Sequence, residues 1–195
     1  MHTTTQKEIV FVTSNTEKFQ IAKTVCHKQG ISLTQKSPHI DEIQSEDIEA
    51  VIQDKARRAF EIFRQPLVVN DISWAIPALK GFPGPYMKSI NHWFGPEDWL
   101  HIMEPYKDRR IILIELLAYR NERACKIFRK EFTGKLLRDA RGNYGNALHK
   151  VITMSGDNNL SVAEVYDKDV KYDEREVAES WIDFLSWYNK EEANL

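Results

Sequence analysis

The strongest chemical signal in this sequence is an acid placed directly after an apolar run. Residues 67–69 are typical of a short buried strand, and we expect that strand to end near Asp71. Ligands of open α/β sheets bind outside the carboxyl ends of the strands, so an acid there is a candidate for holding a metal or activating water. Asp is also a common turn former, and a structural cap is the alternative interpretation of Asp71.

A second candidate is the polar turn Thr13-Ser14-Asn15-Thr16, which follows an apolar strand predicted for residues 8–12. We expect a helix from this turn to about residue 29, with Ser14, Asn15 or Thr16 as its N-cap. A helix N-terminus presents partly positive backbone N–H groups that suit a phosphate, and Lys18 adds a full charge. The alternative is an ordinary capped helix with a solvated Lys18, because the glycines of known phosphate loops are missing.

A third candidate region follows an edge strand predicted for residues 31–35. It contains Glu42, within Ile40-Asp41-Glu42-Ile43-Gln44, and then a helix predicted for residues 45–64 that carries Lys55 on its polar side. Acids at a helix start favour the helix dipole, and solvated basic side chains are the usual occupants of such a face. The apolar stripe of this helix is predicted to be Ile48, Ile52, Ala56, Ala59 and Phe63.

Composition excludes several classes of protein. The 195 residues carry 27 Lys and Arg against 29 Asp and Glu, so the net charge of -2 predicts neither a nucleic-acid nor an anionic-membrane partner. No apolar run reaches membrane-span length and the first residues are polar, so we predict a cytoplasmic protein. Cys26 and Cys125 lack the spacing of a disulfide framework or a zinc site and are predicted to be core residues.

The remaining pattern predicts alternating strands and helices in one α/β chain. The loop Gly81-Phe82-Pro83-Gly84-Pro85 is predicted to be stiff, because its glycines and prolines restrict the backbone to few shapes. Further predicted elements are short helices at 90–94 and 97–103, strands at 110–120 and 123–133, a strand or turn at 134–141, a loop at 142–146 and a final helix at 175–188.

Together these motifs resemble the inosine triphosphate pyrophosphatase family, also called the non-canonical purine nucleoside triphosphate pyrophosphatases. The motifs follow the family's order and spacing from about residue 8 to residue 188, so the ordered set is specific although each motif alone is weak. The matching segments are Phe11-Val12-Thr13-Ser14-Asn15 with Lys18, Ile40-Asp41-Glu42-Ile43-Gln44, Lys55, Val68-Val69-Asn70-Asp71, Gly81-Phe82-Pro83-Gly84-Pro85-Tyr86-Met87-Lys88, and Phe132-Thr133-Gly134-Lys135 before Arg141-Gly142.

The resemblance implies an elongated two-lobed α/β fold with a long mixed β-sheet flanked by helices. Residues 1–195 would form one such domain, with the substrate in a cleft between the lobes. It also implies Mg²⁺-dependent hydrolysis of a nucleoside triphosphate to the monophosphate and pyrophosphate, with Mn²⁺ as an alternative metal, and commonly a homodimer. The partner would be a nucleoside triphosphate or a related phosphorylated small molecule, not a nucleic acid or a membrane.

By position, the resemblance assigns Glu42 and Asp71 to the metal, and Asp71 and Lys18 to catalysis. Asp71 would orient or deprotonate the attacking water, and Lys55 would neutralise the triphosphate. The full set assigned to the substrate is Thr13, Ser14, Asn15, Lys18, Lys55, Ile72, Lys88, Tyr144 and Asn146. The inventory suits the reaction, which needs a hard cation on carboxylate oxygens, positive groups on the leaving pyrophosphate and a positioned water.

The sequence also departs from the family pattern. Asn70 stands where a second carboxylate usually precedes the catalytic Asp, Ile72 where a small hydroxyl residue usually follows it, and Ile21 where an acid usually follows the phosphate Lys. The aromatic segment that stacks on the purine is replaced by Tyr144-Gly145-Asn146-Ala147-Leu148, and the Ser-His-Arg near the last helix by Ala178-Glu179-Ser180. Because donors that read a 6-oxo base are lost, we predict altered or relaxed base specificity.

Three functions follow from this pattern. The first is a triphosphate pyrophosphohydrolase with altered base choice, which the retention of Lys18, Glu42, Lys55 and Asp71 favours. The second is a catalytically silent protein of the same fold that binds a nucleotide or a protein partner, which Asn70 and the altered base-reading segments favour. The third is a hydrolase of another phosphorylated small molecule.

Overall fold

The computed structural model describes residues 7–168 and 176–191 of the chain. These residues form two compact units. Within these described residues, unit 1 comprises 7–71, 115–130 and 176–191, and unit 2 comprises 72–114 and 131–168. The expectation that the whole chain is a single two-lobed domain stays a prediction.

The described residues contain seven strands and six α-helices. The strands are β1 (Lys7–Val12), β2 (Ile31–Lys36), β3 (Leu67–Ala75), β4 (Pro83–Gly84), β5 (Arg110–Arg120), β6 (Cys125–Leu136) and β7 (Ile152–Met154). The helices are α1 (Thr16–His27), α2 (Ile48–Phe63), α3 (Met87–Trp93), α4 (Pro96–Ile102), α5 (Val162–Asp167) and α6 (Glu176–Glu191), and two short 3₁₀ turns lie at Pro77–Leu79 and Leu148–Lys150.

The strands pair in the order β2-β1-β3-β5-β6-β7, and the short β4 pairs with β3. Strand β1 runs parallel to both β2 and β3, whereas β4 is antiparallel to β3 and β7 is antiparallel to β6. The predicted mixed sheet with helices in an α/β fold is therefore confirmed. The prediction that the strand after α1 lies at an edge is also confirmed, because β2 ends the pairing order.

The core of unit 1 joins β1 to α1 and α6. Buried Trp181 and Phe184 of α6 pack on the aromatic and aliphatic side chains below them, and the Trp181 ring meets the edge of Phe11 at 4.9 Å between centroids. Such pairs contribute beyond their buried area. Cys26 lies in this core as predicted, and burial raises the pKa of its thiol to about 12. Cys125 is exposed, so its prediction as a core residue is wrong: it opens β6 directly after the turn that follows β5.

The core of unit 2 lies between α3, α4 and the surrounding strands. Trp99 and Met103 are fully buried there, and Phe94 packs edge-on against Trp99 at 5.0 Å. The buried Arg109 donates from its guanidinium to the carbonyls of Met103, Leu136 and Leu137. A buried cation is tolerated here because several main-chain oxygens accept from it.

Several predicted boundaries are wrong, for local reasons. The helix predicted from residue 45 begins at Ile48, because Asp47 is its N-cap and accepts from the Glu49 N–H. Its buried face contains Val51 with Ile52, Ala56 and Ala59, whereas the predicted Ile48 and Phe63 are only partly buried. Helix α5 and strand β7 were not predicted.

Strand β6 continues through the segment predicted as a separate strand or turn. Gly134 explains the continuation: a Cβ there would lie 2.6 Å from the Met154 sulfur and 2.7 Å from the Thr153 carbonyl oxygen. The absence of a side chain therefore allows β7 to pair closely with β6 at this position. In the described part of the chain, no helix is long and apolar enough to cross a membrane.

Candidate active site

The turn after β1 is held in shape by its own side chains. Asn15 is the N-cap of α1, and its Oδ1 accepts from the Lys18 N–H at 2.9 Å. The Asn15 N–H donates to Thr13 Oγ1 at 3.1 Å, and Gln35 Nε2 on β2 donates to the Thr13 carbonyl at 3.1 Å. Of the three predicted caps, Asn15 is therefore the one used.

The same turn leaves polar groups accessible at the positive end of α1. Ser14 and Asn15 are exposed, and Thr13 and Lys18 are partly buried. An anion at this helix end would meet the partial positive charge of the N-terminus together with the Lys18 ammonium. The alternative of a capped helix is correct in that Asn15 caps α1. This cap does not exclude a phosphate at the same helix end.

A charged junction links the segment before α2, helix α2 itself and strand β3. Lys55 Nζ lies 2.8 Å from Glu42 Oε1 and 3.4 Å from the main-chain oxygen of Asn70. The Lys55 side chain is 19% exposed and that of Glu42 is 38% exposed, so the pair is partly screened from water. The solvated alternative for Lys55 is therefore wrong. We use the term charged junction for Glu42, Lys55 and the Asn70 main chain.

This junction lies beside the turn after β1, because β1 and β3 are neighbours. Their parallel pairing runs to Val12 opposite Val69, so the chain leaves this pairing at Thr13 on one strand and Asn70 on the other. Carboxyl ends of adjacent parallel strands are where open α/β sheets bind ligands. Thr13 and Asn70 directly follow the last residues of β1 and β3 that pair with each other.

The expectation that the strand ends at Asp71 is wrong. Strand β3 runs on to Ala75, because Trp74 and Ala75 pair with the short strand β4. The pairing with β1 stops before Asp71, at Val69. Side chains alternate along a strand, so the buried Asn70 and the partly buried Asp71 point to opposite faces of the sheet.

The charged side chains of α2 form two groups: Asp54 pairs with arginines of the same helix, whereas Lys55 pairs with Glu42. Asp54, next to Lys55, accepts from Arg57 and Arg58, each at 2.5 Å. Burial raises the pKa of Asp54, but the hydrogen bonds and positive charges of the two arginines outweigh this, and the net pKa is lowered. These arginines are tied to their own helix, and Lys55 is the basic residue of α2 that binds Glu42.

The donor set is compatible with a small divalent cation. Glu42 and Asp71 provide carboxylates, which are the oxygen ligands that Mg²⁺ and Mn²⁺ prefer. Within residues 7–168 and 176–191, no three or more His, Cys, Asp or Glu side chains are grouped so that they could hold a metal. Mg²⁺ commonly uses one or two carboxylates and completes its shell with water and phosphate oxygens, so two carboxylates suffice for a site shared with a substrate.

In unit 2, the predicted residues fall in three separate places. Ile72 is the partly buried first residue of the unit, and Lys88 is exposed in the first turn of α3. Tyr144 stacks on Tyr166 of α5, with ring centroids 4.5 Å apart and planes inclined by 17°. His149 stacks on Tyr166 at 6.3 Å. We call Tyr144, Tyr166 and His149 the aromatic stack.

The aromatic stack contains two residues that the sequence analysis missed. Tyr166 belongs to α5, whose start is readable in retrospect: Ser161 and Glu164 form a capping box with bonds of 3.0 and 2.8 Å. The predicted Asn146 uses its Oδ1 locally, where it accepts from the His149 N–H at 3.2 Å. Its carbonyl oxygen thereby stabilises the 3₁₀ turn at Leu148–Lys150.

The segment Ala178-Glu179-Ser180 divides between exposed and buried positions in α6. Glu179 is exposed, whereas Ser180 is fully buried and donates to Glu115 Oε2 at 2.6 Å. The side chain of Ala178 lies outside the described residues. Ser180 therefore holds α6 to strand β5 in unit 1.

Comparison with known proteins adds a family. The family model described as the Ham1 family matches residues 9–178. A dITP/XTP pyrophosphatase from Saccharolobus solfataricus is 28% identical over 95% of this chain and 97% of its own length. An inosine triphosphate pyrophosphatase from Tuber melanosporum is 35% identical over 52% of this chain and 54% of its own length.

Solved structures agree on the fold. A HAM1 protein from Coxiella burnetii superposes with a TM-score of 0.76 at 18% identity, and the match covers 94% of this chain and 99% of that one. The Ham1 protein of Staphylococcus aureus gives a TM-score of 0.73 at 17% identity, over 95% and 100% of the two chains. At this level of identity, the likeness concerns the fold.

Proposed function

The chain belongs to the Ham1 family, and from this premise we propose that it hydrolyses a nucleoside triphosphate to the monophosphate and pyrophosphate. The observation that carries the proposal is the charged junction where the β1–β3 pairing ends, beside the capped N-terminus of α1. The relatives named dITP/XTP pyrophosphatase match nearly the whole chain and support the same reaction class.

The proposed reaction splits the bond between the α-phosphorus and the oxygen that bridges it to the β-phosphate. Water forms the new bond to the α-phosphorus, its proton passes to Asp71, and pyrophosphate leaves with the bridging oxygen. Lys18 and Lys55 neutralise charge on the phosphate oxygens as the leaving group departs. Positioned charges of this kind are usually the largest contribution to phosphoryl-transfer catalysis.

We propose Mg²⁺ as the metal, with Mn²⁺ as a substitute, held by Glu42 and Asp71. The bound cation supplies charge stabilisation for phosphate oxygens. Asp71 has a second task, since its carboxylate also orients the water. The neutral Asn70 beside it adds no negative charge for the metal, so we expect weaker metal binding than two adjacent carboxylates would give.

The base specificity is proposed to be relaxed. Tyr144 offers a flat ring that is 48% exposed, and a ring face stacks on any base. The Asn146 Oδ1 is already used within its own turn, and an amide can both donate and accept, so it does not enforce a 6-oxo base. Little preference for inosine or xanthosine over ordinary purine triphosphates is therefore expected.

The test is pyrophosphate release from a panel of triphosphates with Mg²⁺ or Mn²⁺. The panel contains inosine, xanthosine, deoxyinosine, adenosine, guanosine and pyrimidine triphosphates, and each kcat/KM is compared with that of Asp71→Asn protein. Release that depends on Asp71 and the metal supports the proposal. Absence of release from every triphosphate contradicts it, and a strong inosine or xanthosine preference contradicts the relaxed specificity alone.

The silent-binder function has one observation in its favour, the buried amide of Asn70 in place of an acid. A protein that binds a nucleotide without hydrolysing it would gain thermal stability in its presence, because a ligand stabilises only the state that binds it. Thermal shift with each triphosphate therefore separates binding from turnover. If hydrolysis appears only in Asn70→Asp protein, the natural chain is a binder.

The homodimer stays a prediction from the family resemblance, and the cytoplasmic location stays a prediction from the sequence. We propose a homodimer, which light scattering coupled to size-exclusion chromatography tests directly. We also propose a cytoplasmic protein whose ligands are nucleoside triphosphates or related phosphorylated small molecules rather than nucleic acid. Fractionation of the source cells, with a cytoplasmic marker enzyme for reference, tests the location.

A further inference from the structure

Lys55 is paired with Glu42, which the proposed reaction needs as a metal ligand. Its ammonium lies 2.8 Å from Glu42 Oε1, the carboxylate assigned to the metal, although Lys55 itself is assigned to the phosphates. One ammonium cannot remain against Glu42 while a divalent cation takes the same oxygen, because the two positive charges repel at such short range. A metal that takes Glu42 Oε1 would therefore displace the Lys55 ammonium from that oxygen.

The contact of Lys55 with the Asn70 carbonyl indicates the direction in which the ammonium can move at little cost in free energy. The distance of 3.4 Å to the Asn70 carbonyl oxygen is at the long end for a hydrogen bond, whereas the contact to Glu42 is short. The Lys side chain is a compact charge on a flexible stem, so it reorients without a backbone change. Loss of Glu42 as a partner leaves the ammonium beside the Asn70 carbonyl, where the β1–β3 pairing ends and the phosphates are proposed to bind.

We propose that Lys55 exchanges partners: it neutralises Glu42 in the free protein and is released to the phosphates when the metal binds. This inference rests on the proposed function, since it needs a metal at Glu42 and phosphates beside it. The consequence is coupling between two ligands. The metal weakens the Lys55–Glu42 pair that competes with phosphate, and phosphate draws away the ammonium that competes with metal, so each raises the affinity for the other.

The alternative is that Lys55 serves as a positioning residue that holds Glu42 in the orientation the metal needs. The two roles predict opposite effects of removing the ammonium on metal affinity. Partner exchange predicts tighter metal binding without Lys55, because a competing cation is gone. Positioning predicts weaker metal binding, because Glu42 becomes less ordered.

The experiment measures Mn²⁺ binding by the loss of the free Mn²⁺ signal in electron paramagnetic resonance, without nucleotide and with pyrophosphate. The loss that the same pyrophosphate concentration causes without protein is subtracted. The proteins are the natural chain, Lys55→Met, which keeps the length of the side chain without its charge, and Lys55→Arg, which keeps the charge. Lys130→Met is the matched control, because Lys130 makes a 2.8 Å pair with Asp183 elsewhere in unit 1. Circular dichroism melting confirms that each variant is folded.

Lys55→Met is expected to bind Mn²⁺ about three- to tenfold more tightly than the natural chain without pyrophosphate, the range that a partly buried ion pair supports. Pyrophosphate should then strengthen Mn²⁺ binding less in Lys55→Met than in the natural chain. Lys55→Arg and Lys130→Met should keep the natural affinity. Unchanged or weaker Mn²⁺ binding by Lys55→Met overturns partner exchange.

A further variant separates this inference from the proposed function. Glu42→Gln should lose Mn²⁺ affinity if Glu42 holds the metal. If the natural chain binds no Mn²⁺ even with pyrophosphate, or if Glu42→Gln binds as tightly as the natural chain, the proposed metal site itself is wrong. If Glu42→Gln loses binding and Lys55→Met gains none, the metal site stands and only partner exchange is overturned.

Discussion

The charged junction of unit 1 and the aromatic stack of unit 2 hold their side chains in different ways. In the junction, single polar contacts join Glu42 to Lys55 and Lys55 to the Asn70 main chain. In the stack, flat rings lie on one another, and the nearby Asn146 bonds to a residue only three positions away. The charged side chains of the junction can exchange partners with an ionic ligand, whereas the stacked rings offer a flat surface for a planar ligand.

This difference suggests where the selectivity of the protein lies. Charged groups with defined partners discriminate strongly, since an unpaired buried charge is costly, but a ring face accepts any base of suitable size. We therefore expect strict demands on the phosphate chain and the metal, and tolerance of the base. Four experiments test this contrast, in order of decreasing effect.

The largest expected effect is that of Asp71→Asn on turnover. Asn has nearly the same shape but takes no proton and gives a metal no anionic oxygen, so kcat should fall at least about 10²-fold. Because Asp71 is only partly buried, its melting temperature should stay close to that of the natural chain. Stopped assays of pyrophosphate release measure the loss, and near-full activity would show that the catalytic centre lies elsewhere.

Lys18→Ala should reduce kcat/KM about 10- to 100-fold, because it removes a full positive charge from the proposed phosphate site at the α1 N-terminus. Binding and turnover should weaken together. Lys23→Ala is the matched control, since Lys23 is an exposed lysine later in the same helix. Steady-state kinetics at two salt concentrations measure both variants, and equal effects at the two lysines would remove the specific role of Lys18.

Tyr144→Ala should reduce kcat/KM about tenfold for every base alike, since a stacking surface carries no information about base edges. The ratio of kcat/KM for inosine and adenosine triphosphates should therefore stay the same in the variant and the natural chain. Competition assays with paired substrates measure this ratio directly. A change of the ratio would mean that Tyr144 reads an edge of the base.

The smallest expected effect concerns stability near the aromatic stack. A Cβ at Gly145 would lie 2.2 Å from His149 Nδ1, and Gly145 has a φ of +75°. Gly30→Ala is the control, because Gly30 has a φ of +73° but no heavy atom within 4 Å of its Cβ. Gly145→Ala should cost about 1 kcal/mol more free energy of unfolding than Gly30→Ala, measured by urea denaturation, because only the first adds an overlap. Equal costs would show that His149 moves aside without strain.

Local patterns in the sequence are enough to predict most elements of the fold. The bounds Arg110–Arg120 of β5 match the prediction, and the final helix predicted for residues 175–188 is α6, Glu176–Glu191. The α1 cap was also among the predicted residues. These features depend on periodicity and capping, which act over a few residues.

The errors arise where a distant segment decides. Nothing near Asp71 in sequence indicates that β3 continues to Ala75, because the partner that extends it, β4, lies after a loop. The same applies to the charged junction. The sequence indicates Glu42 and Lys55 as candidate site residues, but their direct contact and the contact with the Asn70 carbonyl depend on how α2 lies against β3. Tyr166 was missed because its stacking on Tyr144 is likewise a tertiary contact.

The turn that caps α1 affects the rate at which a ligand binds there and the conformational entropy that binding costs. Two of its N–H groups are already bonded to Thr13 and Asn15 side chains, and Gln35 braces it from β2. A ligand that binds at this turn therefore does not have to order the backbone. The conformational entropy of the turn is already lost on folding, so it adds no cost to binding. Association should then proceed without a slow isomerisation phase, and hydrogen exchange at the bonded amides of Thr13, Asn15 and Lys18 should be slower than at their neighbours even before any ligand is added.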